Sequence, residues 1–247
     1  MYAKKEYRTQ WGICVEEYHS GRYMLPGEKR QPKRKPTPEQ MKKSNERQRQ
    51  KKARLLLLEN FSPLDYHTIL TYRRDERPER LEDVKQHLAR LIRRLRDWFR
   101  RQGQTLKWVA NIERGKRGAW HIHLVINRIP ELDVQLARLW PYGRPRNVLI
   151  EDAKGLDKLA MYITKGSTEE RKGEPEAEEI HTFTHSRNLK IPKPTKKVYK
   201  RWKTWNREKI RIPKGYYLDP ESVEEWADCL GYMHREYMLY RLPVRRE

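Results

Sequence analysis

The segment His121-Ile122-His123 places two imidazoles on one face of a strand, because alternate strand side chains point to opposite sides. Over residues 119–127 the even positions Trp120, Ile122, Leu124 and Ile126 are apolar, while His121, His123 and Asn127 take odd positions. Residues 106–113 repeat the pattern: Leu106, Trp108, Ala110 and Ile112 are even, and Lys107, Val109, Asn111 and Glu113 are odd. The turn Arg114-Gly115-Lys116-Arg117-Gly118 joins the two. In an antiparallel pair, directly opposed residues share a face. A register that sends both apolar sets into one core therefore opposes Glu113 to His121, or leaves them diagonal and still within reach. Two imidazoles and a carboxylate then form a half-shell for a divalent cation, with water or substrate completing it. Histidines on a polar strand face also occur on ordinary surfaces, and Glu113 is what separates this pair from that reading. His19, His67, His87, His181, His185 and His234 have no such support and read as structural or surface residues.

A second group lies in Leu156-Asp157-Lys158-Leu159-Ala160-Met161-Tyr162-Ile163-Thr164-Lys165, which fits a short helix. Tyr162 and Lys165 are three apart and share a helix face. A phenol with a pKa near 10 is a weak nucleophile at neutral pH, and a neighbouring ammonium favours the phenolate. Spacing alone reads equally well as a half-buried tyrosine beside a surface lysine.

The surrounding chain has the pattern of an α+β domain. Tyr66 to Tyr72 is β-branched and aromatic and reads as a strand. In residues 79–101, Leu81, Val84, Leu88, Leu91, Ile92, Leu95, Trp98 and Phe99 form the apolar stripe of a helix whose other side is rich in arginine. A short helix is expected over 131–140, a strand at Val148-Leu149-Ile150 and another near 180–183. Thr37-Pro38-Glu39-Gln40 reads as the capped start of a helix running to about Leu58. Residues 1–27 hold strand-like alternations at Trp11, Ile13 and Val15. Asp219-Pro220 reads as the start of a last helix, with Val223, Trp226, Leu230, Met233 and Tyr237 on one side. Composition shifts divide the chain into residues 1–59, 60–190 and 191–247.

With 56 Lys and Arg against 34 Asp and Glu, the 247 residues carry a net charge of +22, which points to a polyanionic partner. In residues 28–54, 12 basic residues stand against 3 acidic ones. Lys42, Lys43, Arg47, Arg49, Lys51 and Lys52 either lie along phosphates or form a solvated face. Lys190 and the basic stretch after it, interleaved with Trp202 and Trp205, offer a second contact in which aromatic rings stack on bases. The longest apolar run, Leu55–Leu58, is far short of the roughly 20 residues a membrane span needs. Met1-Tyr2-Ala3-Lys4-Lys5 has no apolar core of a signal peptide, and Cys14 and Cys229 cannot build a disulfide framework. A cytoplasmic protein is expected. The 8 Trp and 14 Tyr argue against a wholly disordered chain.

Taken in order, Thr68-Ile69-Leu70-Thr71-Tyr72, then Glu113 with His121-Ile122-His123, then Tyr162-Ile163-Thr164-Lys165 resemble the motifs of the HUH endonuclease superfamily. The closest likeness is to single-tyrosine bacterial rolling-circle replication initiators of plasmids, phages and integrative elements. Asn60-Phe61 and Ser186-Arg187-Asn188-Leu189-Lys190 flank the motifs as in those initiators, so the resemblance covers roughly residues 37–190. It implies a central antiparallel, about five-stranded sheet of HUH/RRM-like type with helices packed on it. To this the chain adds a basic helical N-terminal arm and a C-terminal helix. It also implies a magnesium or manganese ion on His121, His123 and Glu113, and Tyr162 as nucleophile assisted by Lys165. The implied activity nicks and rejoins single-stranded or hairpin origin DNA through a 5′-phosphotyrosine. Arg114, Lys116, Arg117, Arg187 and Lys190 would touch the DNA. No Gly-x-x-x-x-Gly-Lys-Ser/Thr loop is present, so a host helicase and polymerase are the expected partners. Competing readings are a relaxase or transposase of the same superfamily, a non-enzymatic DNA-binding protein using the basic helix, and an RNA-binding protein.

Overall fold

The structure is a computed structural model that describes residues 2–19, 35–115, 118–164, 183–200, 205, 209–228 and 231–242. In chain order the elements are β1 (Tyr2–Arg8), β2 (Gly12–His19), α1 (Pro38–Asn60), β3 (Tyr66–Thr71), α2 (Leu81–Arg101), β4 (Trp108–Arg114), β5 (Trp120–Ile126), α3 (Leu132–Leu139), β6 (Pro145–Leu149), α4 (Ala153–Thr164), β7 (Thr184–His185), β8 (Thr195–Tyr199), β9 (Tyr216–Leu218), β10 (Glu224–Ala227) and β11 (Met233–Arg241). They divide into two compact units, one of residues Asn60–Lys190 and one combining Met1–Glu59 with Ile191–Glu247.

The unit Asn60–Lys190 holds an antiparallel five-stranded sheet in the order β6-β3-β5-β4-β7. Its even positions (Leu70, Ala110, Ile112, Trp120, Ile122, Leu124 and Ile126) are buried against Val84, Leu88, Leu91, Ile92, Leu95, Trp98 and Phe99 of α2 and Leu132 and Leu136 of α3. The strand and helix periods expected from the sequence meet in one core. The odd face is not left to solvent throughout, because Val109, Val125 and His123 are also buried and α4 packs beside β4.

The terminal segments form a separate six-stranded sheet in the order β10-β11-β2-β1-β8, with β9 also on β11. The strand-like residues 1–27 are thus β1 and β2 where they are described. Helix α1 starts with the expected reciprocal cap: Thr37 N–H donates to Gln40 Oε1 at 3.0 Å and Gln40 N–H donates to Thr37 Oγ1 at 3.3 Å. Its last turns bury Leu55 to Leu58.

The expected C-terminal helix is corrected to two strands, β10 and β11. Met233 and Tyr237 are four apart, a spacing that places two residues on one face of a helix and equally on one face of a strand. Gly231, at φ 79°, turns the chain back between the strands, with Asp228 N–H donating to the Tyr232 carbonyl at 2.9 Å. Pairing of β11 along β2 from His234↔Tyr18 to Tyr240↔Gly12 then outweighs the helical spacing. Leu230 lies outside the described residues. Among the described residues no helix is long and apolar enough to cross a membrane.

Candidate active site

Strands β4 and β5 pair in the register that the apolar alternation demands, with Glu113 opposite His121 and Asn111 opposite His123. The turn between them is held by Gly115 N–H donating to the Ala119 carbonyl at 2.8 Å. Gly118 takes φ 77°, a left-handed conformation costly for other residues. A Cβ on Gly115 would lie 3.1 Å from His121 Nε2, so the glycine makes room for that ring.

On the odd face Glu113 Oε2 is 3.1 Å from His123 Nε2. The other nitrogen of His123, Nδ1, is 3.2 Å from Nε2 of His67 on β3, and the two rings stack at 5.4 Å. His123 is buried, whereas His121 and Glu113 are half-buried. The hydrogen bond from His123 holds the Glu113 carboxyl below its usual range, overcoming the opposing effect of burial. Burial, with His123 nearby, lowers the His121 imidazole. Burial lowers His67 further, to about 4, with His123 and Arg146 adding to it. His67 is therefore neutral at pH 7, able to donate one ring hydrogen to His123. Sequence reasoning misses it, although its odd position on β3 gives it the same face as the histidines of β5.

Tyr162 stands on α4, half exposed, with its ring edge-on to His123 at a centroid distance of 5.2 Å. Leu156, Leu159, Ala160 and Ile163 bury the other side of the helix. Burial and the Glu113 charge push the phenol up, so these neighbours by themselves favour the protonated form. Lys165 lies outside the described residues.

Two imidazoles and a carboxylate on one face are a donor set suited to a divalent ion, and Glu113 already stands at hydrogen-bond distance from His123. Among the described residues, however, no three His, Cys, Asp or Glu groups converge tightly enough to form a ready-made metal cluster. The donors fit in type and face, and closing on an ion requires the Glu113–His123 hydrogen bond to give way.

The expected DNA contacts separate by burial. Lys42, Lys43, Arg47 and Lys52 are exposed on α1, as are Arg187 and Lys190, and Arg49 is half-buried. Arg114 lies over the Trp120 ring and donates to the Gly118 carbonyl at 3.2 Å, bracing the hairpin turn. Two residues have structural roles instead. Lys51 is buried 2.7 Å from Glu16 and 3.8 Å from Glu236. Trp205 is 2% exposed, stacked on His19 at 4.6 Å and edge-on to Tyr2, so no face of it is open to a base. Lys116, Arg117 and Trp202 lie outside the described residues.

No curated protein and no solved structure matches the chain. Residues 65–170, the segment that carries His67, Glu113, His121, His123 and Tyr162, match the family model for replication-associated proteins of the ORF2 type, and the chain is by this match similar to that family.

Proposed function

We propose that the protein initiates rolling-circle replication by nicking and rejoining single-stranded origin DNA through Tyr162. The contact of the Tyr162 ring with His123, on the face that carries Glu113 and His121 and within the matched segment, is the observation that carries this reading. Glu113, His121 and His123 would hold magnesium or manganese. When bound, such an ion supplies Lewis-acid polarisation of a phosphodiester oxygen.

The Tyr162 oxygen attacks phosphorus in line and loses its proton. The P–O3′ bond breaks, the 3′-oxygen takes up a proton, and the 5′ end stays on the tyrosine. Because its described neighbours favour the phenol, Tyr162 needs positive charge close by at the moment of attack, a role suited to Lys165. The freed 3′-hydroxyl primes synthesis, and attack by a later strand end on the phosphotyrosine restores the phosphodiester. Unwinding and synthesis fall to host helicase and polymerase.

The test is a covalent adduct between the protein and single-stranded origin DNA in Mn²⁺, resolved on a denaturing gel. Adduct is expected with the wild-type chain, lost in EDTA and regained with manganese. Equal adduct from Tyr162→Phe overturns the nucleophile. DNA binding with no adduct under any condition makes the chain a non-enzymatic binding protein.

A further inference from the structure

The unit built from the chain termini carries a cleft of about 450 Å³ between the first half of α1 and the edge of its sheet. One wall is a row of planar rings on adjacent strands, Trp226 of β10, His234 of β11 and Tyr18 of β2, which the pairing places in line. Trp226 and His234 stack at 5.3 Å with an interplanar angle of 11°, and His234 and Tyr18 at 5.8 Å with the same angle. A cation covers each end. The Arg47 guanidinium lies 4.5 Å from the Trp226 centroid, and Lys5 Nζ lies 4.7 Å from that of Tyr18. The opposite wall brings Lys43, Ser44 and Gln48 of α1, all exposed.

The cleft also contains carboxylates, but each is answered from within the protein. Lys51 and Arg54 pair with Glu16 and Glu236, and Asp228 faces His234 Nε2 at 3.4 Å. The exposed cations lining the cleft are Lys43 and Arg47.

We propose that this cleft is a binding site for single-stranded DNA, with a base stacked on Trp226 and the neighbouring phosphates held by Arg47 and Lys43. The inference rests on the reading that single-stranded DNA is the substrate, and it adds a site outside the unit that carries Tyr162. An indole covered only by an exposed guanidinium is available to a base, because base stacking on an aromatic ring is worth more than an exposed cation–π pair. The displaced guanidinium is then free to reach a phosphate, so one side chain guards the ring and rewards its occupation. Stacking of this kind is tolerant of sequence, which suits a site that holds the strand while recognition occurs elsewhere.

The test measures binding of fluorescein-labelled oligo(dT) to the full chain by anisotropy, in EDTA so that no cleavage occurs. Trp226→Ala is expected to weaken binding about ten-fold and Trp226→Phe to retain most of it. Arg47→Gln is expected to reduce the slope of log affinity on log salt by about 0.7, while Trp226→Ala leaves the slope in place. Wild-type affinity in Trp226→Ala overturns the proposal, and tighter binding of oligo(U) than oligo(dT) reassigns the cleft to RNA and overturns it as stated. Should Trp226→Ala fail to fold, irradiation of the wild-type chain with a bromodeoxyuridine oligonucleotide decides. Crosslinks at Trp226 or its ring neighbours support the site, and crosslinks only elsewhere overturn it. A chain that binds through Trp226 but forms no Tyr162 adduct refutes the nicking reading alone. An adduct-forming chain indifferent to Trp226→Ala refutes this inference alone.

Discussion

His67 Nε2 and His123 Nδ1 stand 3.2 Å apart, and the remaining nitrogen of His123 faces Glu113. A line of three side chains thus crosses β3, β5 and β4, and it fixes both the tautomer and the ring plane of His123. With His67 donating to Nδ1, the hydrogen of His123 sits on Nε2 and points at the carboxylate. That Nε2–H is the one a metal ion would replace.

His67→Ala should therefore lower Mn²⁺ affinity about ten-fold, the usual effect of removing a partner that orients a ligand histidine. Calorimetric titration of the chain with Mn²⁺ measures it. Unchanged affinity would show that His123 needs no support from β3.

Gly115→Ala places a Cβ at 3.1 Å from His121 Nε2, tight enough to displace the ring by a few tenths of an ångström. Adduct formation at saturating DNA should fall about ten-fold, since small misplacements of reacting groups are costly. The melting temperature should stay near that of the wild type, because the position lies in a hairpin turn. A large loss of stability with normal cleavage in the surviving protein would reverse the assignment.

Lys51 holds the Glu16 carboxylate inside the terminal sheet unit. Burial by itself would raise the Glu16 carboxyl, but Lys51 and Lys5 outweigh it and hold the group below its usual range. A carboxyl depressed on folding stabilises the protein above its unfolded pKa, and the contribution is lost as pH falls through the folded value. Acid should therefore destabilise this unit below about pH 4.5, and Glu16→Gln should flatten that dependence in urea melts taken across the range. Lys51→Met leaves Glu16 with only the half-buried Lys5 and should cost about 3 kcal/mol. If Lys51→Met instead weakened DNA binding without destabilising the fold, Lys51 would belong among the DNA contacts after all.

Trp205→Ala removes a ring packed among His19, Tyr2 and the Arg235 guanidinium and should cost about 3–5 kcal/mol of stability. Oligonucleotide affinity of the folded fraction should be unchanged. A selective loss of affinity would restore Trp205 as a base-stacking residue.

Much of the central sheet is legible from alternation, because Trp120, Ile122, Leu124 and Ile126 can be buried together only in one register, and that register opposes Glu113 to His121. The same parity applied to β3 finds His67, but that needs the pairing of β3 with β5, which no local pattern states. Legibility fails at the chain ends. The four-residue spacing of Met233 and Tyr237 satisfies a helix and a strand alike, and only β2, contributed by residues far away in the chain, decides between them. Trp205 and Lys51 escape a sequence reading for a related reason. Composition cannot distinguish a basic or aromatic residue that meets DNA from one that meets a buried partner such as Glu16 or His19.

The pairing of β2 with β11 also sets an order on synthesis. Glu17 and Arg235 are 218 positions apart, and Arg235 Nε donates to Glu17 Oε2 at 2.9 Å in a buried contact. Until the ribosome has delivered β11, the β1–β2 hairpin has an open edge and a carboxylate without its guanidinium. Residues 60–190 form one uninterrupted stretch and complete their own sheet during that wait. The nascent chain thus acquires its candidate active site before the terminal unit with its DNA-holding cleft. A ribosome stalled ahead of the last strand releases a polypeptide with the first and without the second.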